Sequence, residues 1–361
     1  MSVEFIGFVG AREASESIAP RDGALNVDYV ETSAKAHEAS GFDRVLVAFH
    51  STTPDSLLIS QQIASVTRKL KLMVAHRPGF QSPTVTARQF ATLDHLTHGR
   101  AGIHIITGGD DVELRQDGDF LTKDERYTRT NEYLEIVRKT WTEEKPFDYQ
   151  GQFYRNSASF STIKPLQKPS IPVYFGGASD AAIAVAAKHA DIYALWGETL
   201  EQVKQLTSRV RDEAASHGRK PRFSVSFRPI LAETEEKAWQ RAADVLGRAE
   251  ALLDKTGYRR QSQPVNEGSL RLLRAADQGS RLDRRLWTDI AKLTGAKGNS
   301  TALVGTPEQV AEAFLDYYDL GVTTFLIRGF DPLDDVIDYG RELIPLTRDL
   351  VARRKSLETA A

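Results

Sequence analysis

The chain has 361 residues, 27% of them charged, with a formal net charge of −2, so it can bury a large core and offers no electrostatic case for nucleic acid or an anionic membrane surface. It contains no cysteine, which excludes disulfides, zinc–thiolate sites and thiol nucleophiles. No apolar run approaches the roughly 18 residues of a membrane-spanning helix, and the opening MSVEFIGFVG lacks a basic stretch ahead of an apolar one. That opening reads as a strand rather than a signal peptide, and a cytoplasmic location is expected.

Val3 to Val9 is an apolar strand, followed by a loop with Gly and Pro and an alanine-rich helix from Asp28 to Ser40 that Gly41 stops. Arg44 to Phe49 is the next strand and opens into His50-Ser51-Thr52-Thr53-Pro54, and a helix follows from Asp55 to Val66. Leu72 to Ala75 is a short apolar strand ending in His76-Arg77-Pro78-Gly79. Pro83 stands where a helix starts, with Ser82 as its cap and Val85, Phe90, Leu93 and Leu96 at helical spacing, and Gly99 ends it. Ile103 to Ile106 is a second apolar strand that runs into Thr107-Gly108-Gly109-Asp110. Two buried strands joined by a helix make a parallel βαβ unit with a right-handed crossover.

A polar loop covers Asp110 to Thr122, a helix runs from Lys123 to Trp141, and Tyr149 to Tyr154 reads as a hairpin outside the βα rhythm. Val173 to Phe175 is a strand that meets an Ala-rich helix through Gly176-Gly177-Ala178-Ser179. Strands at Ile192–Trp196 and Phe223–Leu231 alternate with helices at Leu200–His217 and Glu235–Leu253. A last strand, Val322 to Arg328, precedes a helix from Leu333 to Arg353. Eight βα units favour a (β/α)8 barrel over an open sheet, as one domain spanning 1–361. The segment Gly257 to Ser300, with a basic excess and scattered apolar residues, reads as a mobile lid inserted before the last βα unit.

In a parallel barrel the chemistry gathers where the strands end. His50, Thr53, His76, Arg77, His104, Thr107, Trp196, Arg228 and Arg328 all fall there. Any one of them alone has a structural explanation, since an arginine at a strand end commonly pairs with a carboxylate. Together they suit a pocket for an anion. The three histidines are candidates for acid–base work near neutral pH. The Gly176–Ser179 turn brings small residues and the N–H groups of a helix start to one place, which suits a phosphate and equally suits a tight turn with a serine cap. Walker A, dinucleotide, HxxxH and GxSxG patterns are absent, which disfavours P-loop, Rossmann, zinc-hydrolase and α/β-hydrolase chemistry; no metal site is expected.

The runs SPTVTARQFATLDHLTHGRAGIHIITG, DERYTRTNEYLEIVRKTW, PVYFGGASDAA and STALVGTPEQVAE resemble the bacterial luciferase-like, flavin-dependent monooxygenases, and within them the alkanesulfonate monooxygenase branch. The resemblance extends from about Phe5 to Pro345. It implies a TIM barrel that receives reduced FMN from a separate NAD(P)H-dependent flavin reductase and uses O2 to oxygenate a small substrate; in the alkanesulfonate branch the products are an aldehyde and sulfite. It further implies Gly177, Ala178 and Ser179 around the FMN phosphate with Tyr127 beside them. His104 and Thr107 would lie against the isoalloxazine, with His76 at the neighbouring strand end. A homodimer or homotetramer is implied as well.

The substrate side departs from that branch. Thr53 stands where the sulfonatases carry Cys, Ser226-Phe227-Arg228 where they carry Arg-x-His, and Phe330 where they carry Tyr; Lys297 aligns loosely with a lid arginine. Trp196 is retained. Arg228 and Arg328 are therefore the expected replacements for an anion-binding set, and with His104, Trp196 and Thr53 they complete the expected catalytic group. The competing expectations are an FMN monooxygenase of a carbonyl compound or heterocycle, a deazaflavin-dependent oxidoreductase, and a flavin-binding barrel without turnover.

Overall fold

The computed structural model describes residues 3–21, 23–256, 266–296, 298 and 300–360. The first half of the chain forms β1 Glu4–Phe8, α1 Val27–Ala39, β2 Arg44–Val47, α2 Ser56–Val66, β3 Lys71–His76, α3 Pro83–Leu96, β4 Ile103–Ile105, α4 Asp111–Gln116, α5 Lys123–Thr142, β5 Phe147–Gln150 and β6 Arg155–Ser159. There follow β7 Val173–Gly176, α6 Asp180–His189, β8 Ile192–Trp196, α7 Leu200–Ser216, β9 Arg222–Phe227, β10 Ile230–Leu231, α8 Glu235–Thr256, α9 Glu267–Gln278, β11 Arg281–Leu282, β12 Leu286–Trp287 and α10 Asp289–Thr294. The chain closes with β13 Ala302–Gly305, α11 Pro307–Asp319, β14 Val322–Ile327, α12 Asp334–Asp338, a π-helical turn Tyr339–Leu343 and α13 Ile344–Ala360.

Eight strands close into a barrel in the order β1-β14-β9-β8-β7-β4-β3-β2. The eight are those expected from the apolar runs, and the (β/α)8 fold holds. Their burial is continuous rather than alternating, as in Val322–Ile327 and Arg222–Phe227, because a parallel strand with helices outside and packed side chains inside meets no water on either face.

By packing, the chain divides into two compact units: Met1–Val45 with Ala194–Ser208 and Arg222–Ala361, and Leu46–Tyr193 with Arg209–Pro221. In the second unit β3, β4 and β7 pair in parallel, with His76 opposite Ile105 and Ile105 opposite Phe175. That register sets the segments leaving the three strands side by side. α3 starts at Pro83 as expected, but the Ser82 hydroxyl contacts Thr84 Oγ1 at 3.2 Å instead of capping the helix. Its buried face is Thr86, Ala87, Phe90, Ala91, Leu93 and Asp94, while Val85 and Leu96 are exposed. α5 opens on a reciprocal capping box between Thr122 and Glu125. Further along, Glu132 accepts the backbone N–H groups of Gln152, Phe153 and Tyr154 at 2.7, 2.9 and 3.1 Å, which fixes the expected hairpin to α5.

In the first unit β1 pairs with β14 and β14 with β9, all parallel. The single strand expected over Phe223–Leu231 is broken. Pro229 has no N–H to give a ladder, and the Arg228 N–H turns to the Thr301 carbonyl at 3.0 Å. Ile230 and Leu231 then join a separate sheet of order β10-β13-β12-β11. The stretch 266–296, expected as lid, carries α9, the β11–β12 pair and α10, while residues 257–265 and Lys297 lie outside the described residues. The polar loop expected over 110–122 contains α4, capped by Asp110 accepting from Val112 and Glu113. The last helix is divided by the π turn, where Gly340 lies so close to Ser40 that a Cβ would sit 2.4 Å from the Ser40 Cβ.

Candidate active site

The segments after β3, β4 and β7 carry most of the expected cofactor residues. Gly177 has φ +141°, a conformation that L side chains rarely adopt, and a Cβ there would stand 2.8 Å from the Ala182 Cβ and 3.2 Å from the Tyr127 hydroxyl. Glycine therefore keeps a small cradle open between the turn and Tyr127, whose ring is buried. Ser179 caps α6, its Oγ accepting from the Ala182 N–H at 3.4 Å. The hydroxyl hydrogen is left over to donate to an anion at the helix start. Tyr193 donates its hydroxyl to the Gly177 carbonyl, which holds the turn from below.

His104 and Thr107 belong to the segment alongside. His104 Nδ1 is buried without a hydrogen-bond partner among the described residues, an orphaned polar atom of the kind a bound ligand satisfies. Burial pushes the His104 imidazole down to about 4, against the opposing effect of its bond to the Tyr174 backbone. His76 is likewise pushed down to about 4 by burial, and its Nε2 lies 2.7 Å from the Tyr133 hydroxyl, which donates to Thr86 at 2.6 Å. Both rings are thus neutral at pH 7. The expected titration near neutral pH does not hold for them, because a low-dielectric site penalises the cation.

A cavity of about 620 Å³ opens next to His76, lined among others by Phe49, Arg77, Phe80, Phe90 and Arg129. His76 is the one expected cofactor residue on its wall; Thr107, Tyr127 and the Gly177–Ser179 turn are not part of it. Arg77 is almost fully buried and donates to both Glu113 oxygens at 2.9 and 3.2 Å, with its guanidinium 4.9 Å from the Phe49 ring centroid. Burial raises the Glu113 carboxyl, but Arg77 and the Ser51 N–H outweigh it and hold it below the usual range. Arg77 is therefore a matched ion pair rather than an anion receptor. Thr53 is exposed and engaged locally, donating to the His50 carbonyl at 2.9 Å and accepting its N–H at 3.1 Å.

The other expected residues lie at the ends of β8, β9 and β14, where Arg228 and Arg328 meet on Glu16. Arg228 is fully buried; Nη1 donates to Glu16, Nη2 donates to the Gly329 carbonyl at 2.8 Å, and the guanidinium lies 3.6 Å from the Phe330 ring centroid. Arg328, about a quarter exposed, donates through Nη2 to both Glu16 oxygens at 2.9 and 3.1 Å. Burial raises the Glu16 carboxyl, yet the two guanidiniums outweigh it and hold it at about 2. Two cations thus share one carboxylate. Trp196 lies close against the start of α9, where a Cβ on Gly268 would come within 3.1 Å of its ring. Two residues on, buried Glu198 accepts three bonds from Arg271 of α9 at 2.8, 2.9 and 2.5 Å, which fastens that helix to the β8 end.

Sequence reasoning missed Glu16, Glu113, Glu198 and Arg271. Glu16 lies in an irregular loop with no motif around it, and its partners are 212 and 312 residues away. The only available signal was stoichiometric: a guanidinium at a buried strand end demands a carboxylate from somewhere. Among the described residues there is no group of three His, Asp or Glu placed to hold a metal, and no helix long and apolar enough to cross a membrane.

The family model described as luciferase-like monooxygenase matches residues 3–324. Among solved structures the chain is similar to a riboflavin lyase with modified FMN and riboflavin, at TM-score 0.79 and 20% identity over 97% of this chain and 92% of that one. It is similar to an EDTA monooxygenase from Chelativorans sp. BNC1, at TM-score 0.75 and 18% identity over 97% and 94%. It is also similar to DmoA from Hyphomicrobium sulfonivorans, at TM-score 0.77 and 21% identity over 97% and 88%. Likeness at these identities speaks for the barrel.

Proposed function

The chain belongs to the luciferase-like monooxygenase family and is a flavin-dependent monooxygenase, and we propose that it takes reduced FMN from a separate NAD(P)H-dependent reductase and oxygenates a small anionic organosulfur substrate of alkanesulfonate type, releasing aldehyde and sulfite. When bound, reduced FMN supplies the two electrons with which O2 is activated. The residues present fit it. The glycine-only cradle at Gly177, the Ala178-Ser179 start of α6 and the Tyr127 hydroxyl would hold the phosphate. The orphaned His104 Nδ1 and Thr107 would face the ring system, with neutral His76 behind, fixed by Tyr133. A neutral imidazole directs a hydrogen bond without placing a charge next to the reacting centre.

The observation that carries the substrate half is the two-to-one ratio of guanidinium to carboxylate around Glu16. One positive charge remains over, and arginines present paired donors suited to a carboxylate or sulfonate. Trp196, packed under α9, would wall the substrate; α9 and the described residues 266–296 would then act as the lid that keeps water out. The test is direct. Anaerobic titration should show tighter binding of reduced than of oxidised FMN. Reduced FMN, O2 and a panel of alkanesulfonates should release sulfite. Equal binding of both flavin forms would reject the two-component reading, and oxygen consumption without sulfite from any sulfonate would reject the substrate.

A further inference from the structure

Among the described residues of 9–26, the connection from β1 to α1 holds no helix or strand. Its base is closed by the Asn26 N–H on the Ala11 carbonyl at 2.8 Å, and its tip is a tight turn in which Ser15 and Ile18 exchange backbone hydrogen bonds at 3.0 and 3.3 Å. The tip is held to the barrel by polar contacts: Glu16 on Arg228 and Arg328, and the Ser17 hydroxyl on the Phe330 carbonyl at 3.4 Å. Two of these ties are ion pairs. Arg228 is fully buried, so leaving it without a counter-charge is strongly unfavourable. Release of Glu16 is therefore favoured when another anion takes its place. The charges facing this point are Arg228 and Arg328 against Glu16, with the Tyr29 hydroxyl close enough to feel both Glu13 and Arg328.

We propose that Glu16 is a built-in stand-in for the substrate's head group: in the resting enzyme the strap holds this carboxylate on Arg228 and Arg328, and a monoanionic oxyanion, carboxylate or sulfonate, exchanges with it and releases the strap tip. The exchange conserves charge at the buried guanidinium, so no uncompensated state is crossed. It also selects against neutral substrates, which cannot replace Glu16. The idea rests on the anionic-substrate half of the proposed function and not on the flavin half.

Trypsin digestion of the full chain without flavin reads the strap directly, because Arg12 and Arg21 flank its tip. Methanesulfonate and acetate are compared with chloride at equal ionic strength. Cleavage at Arg12 and Arg21 should accelerate about fivefold with the preferred anion, and the anion that acts identifies the head group. Glu16→Gln should be cut quickly without added anion and should bind that anion about tenfold more tightly by calorimetry. Arg328→Met should show no response. Native cleavage indifferent to both anions overturns the proposal, and that arm needs no variant to fold. Glu16→Gln binding no more tightly than the native chain overturns it as well. Since no flavin is present, a negative result leaves the FMN reading standing, and failure of FMN binding leaves this one standing.

Discussion

The two arginine clusters look alike in sequence and differ in structure. Arg77 and Arg228 each end a barrel strand, each is buried, and each lies over an aromatic ring. Arg77 is met by both oxygens of Glu113, which also accepts the Ser51 N–H at 3.0 Å and lies 3.7 Å from His50 Nε2. Arg228 shares Glu16 with Arg328. A matched pair has satisfied itself and has little to offer a ligand. An unmatched cluster keeps a charge for one. A strand-end arginine becomes evidence for an anion site only after its carboxylates have been counted.

The largest expected effect is at the matched pair. Glu113→Ala leaves a buried, uncompensated Arg77 and should cost about 3–5 kcal/mol in urea unfolding. Added methanesulfonate should not restore it, whereas methanesulfonate should restore Glu16→Gln, because that site is built to exchange monoanions. Equal rescue of both variants would erase the distinction between the clusters. Next, Arg228→Met should lower kcat/KM for an accepted sulfonate by about 100-fold, or roughly 2.7 kcal/mol, mainly through KM. Unaltered turnover of every sulfonate would show that the unmatched cluster does not meet substrate.

Smaller effects fall on the cofactor side. Gly177→Ala combines a positive φ with a 2.8 Å clash and should destabilise the flavin-free chain by about 1–3 kcal/mol. It should also weaken reduced FMN more than it weakens riboflavin, because the obstruction is at the phosphate. Equal weakening of both would move the phosphate elsewhere. The pH dependence separates the clusters by range. Burial holds His76 and His104, and His37 elsewhere, at about 4 against an ordinary 6.5, so between those values the unfolded chain binds more protons and stability falls as the pH drops. Glu16, lowered from 4.5 to about 2, contributes fully above 4.5 and is lost only as the pH falls toward 2. Urea midpoints across this range should decline in two stages, and Glu16→Gln should reduce the lower one without abolishing it, because Glu113 and Asp331 are also held below the usual carboxylate range.

Much of this architecture was legible because it is local. Apolar runs bounded by Gly and Pro gave away all eight barrel strands, and Pro83 marks a helix start that needs only a few neighbouring residues. The break at Arg228-Pro229 was overlooked because apolar Phe227 and Ile230 continue the pattern on both sides. α4 hid in a polar stretch whose helix is set by the Asp110 cap and by Glu113 turning inward to Arg77.

Local rules set the alternation of strands and helices, the residue types at the strand ends, and the small-residue turn at 176–179. Each follows from steric preference or from the period at which apolar side chains recur. Which charges cancel is settled by the folded chain. Arg77 meets Glu113 and Arg228 meets Glu16 across long spans of chain, and no local rule relates such positions. A buried guanidinium takes whichever carboxylate the fold brings to it, so the charge left for a ligand is a property of the closed barrel and its loops rather than of any one segment.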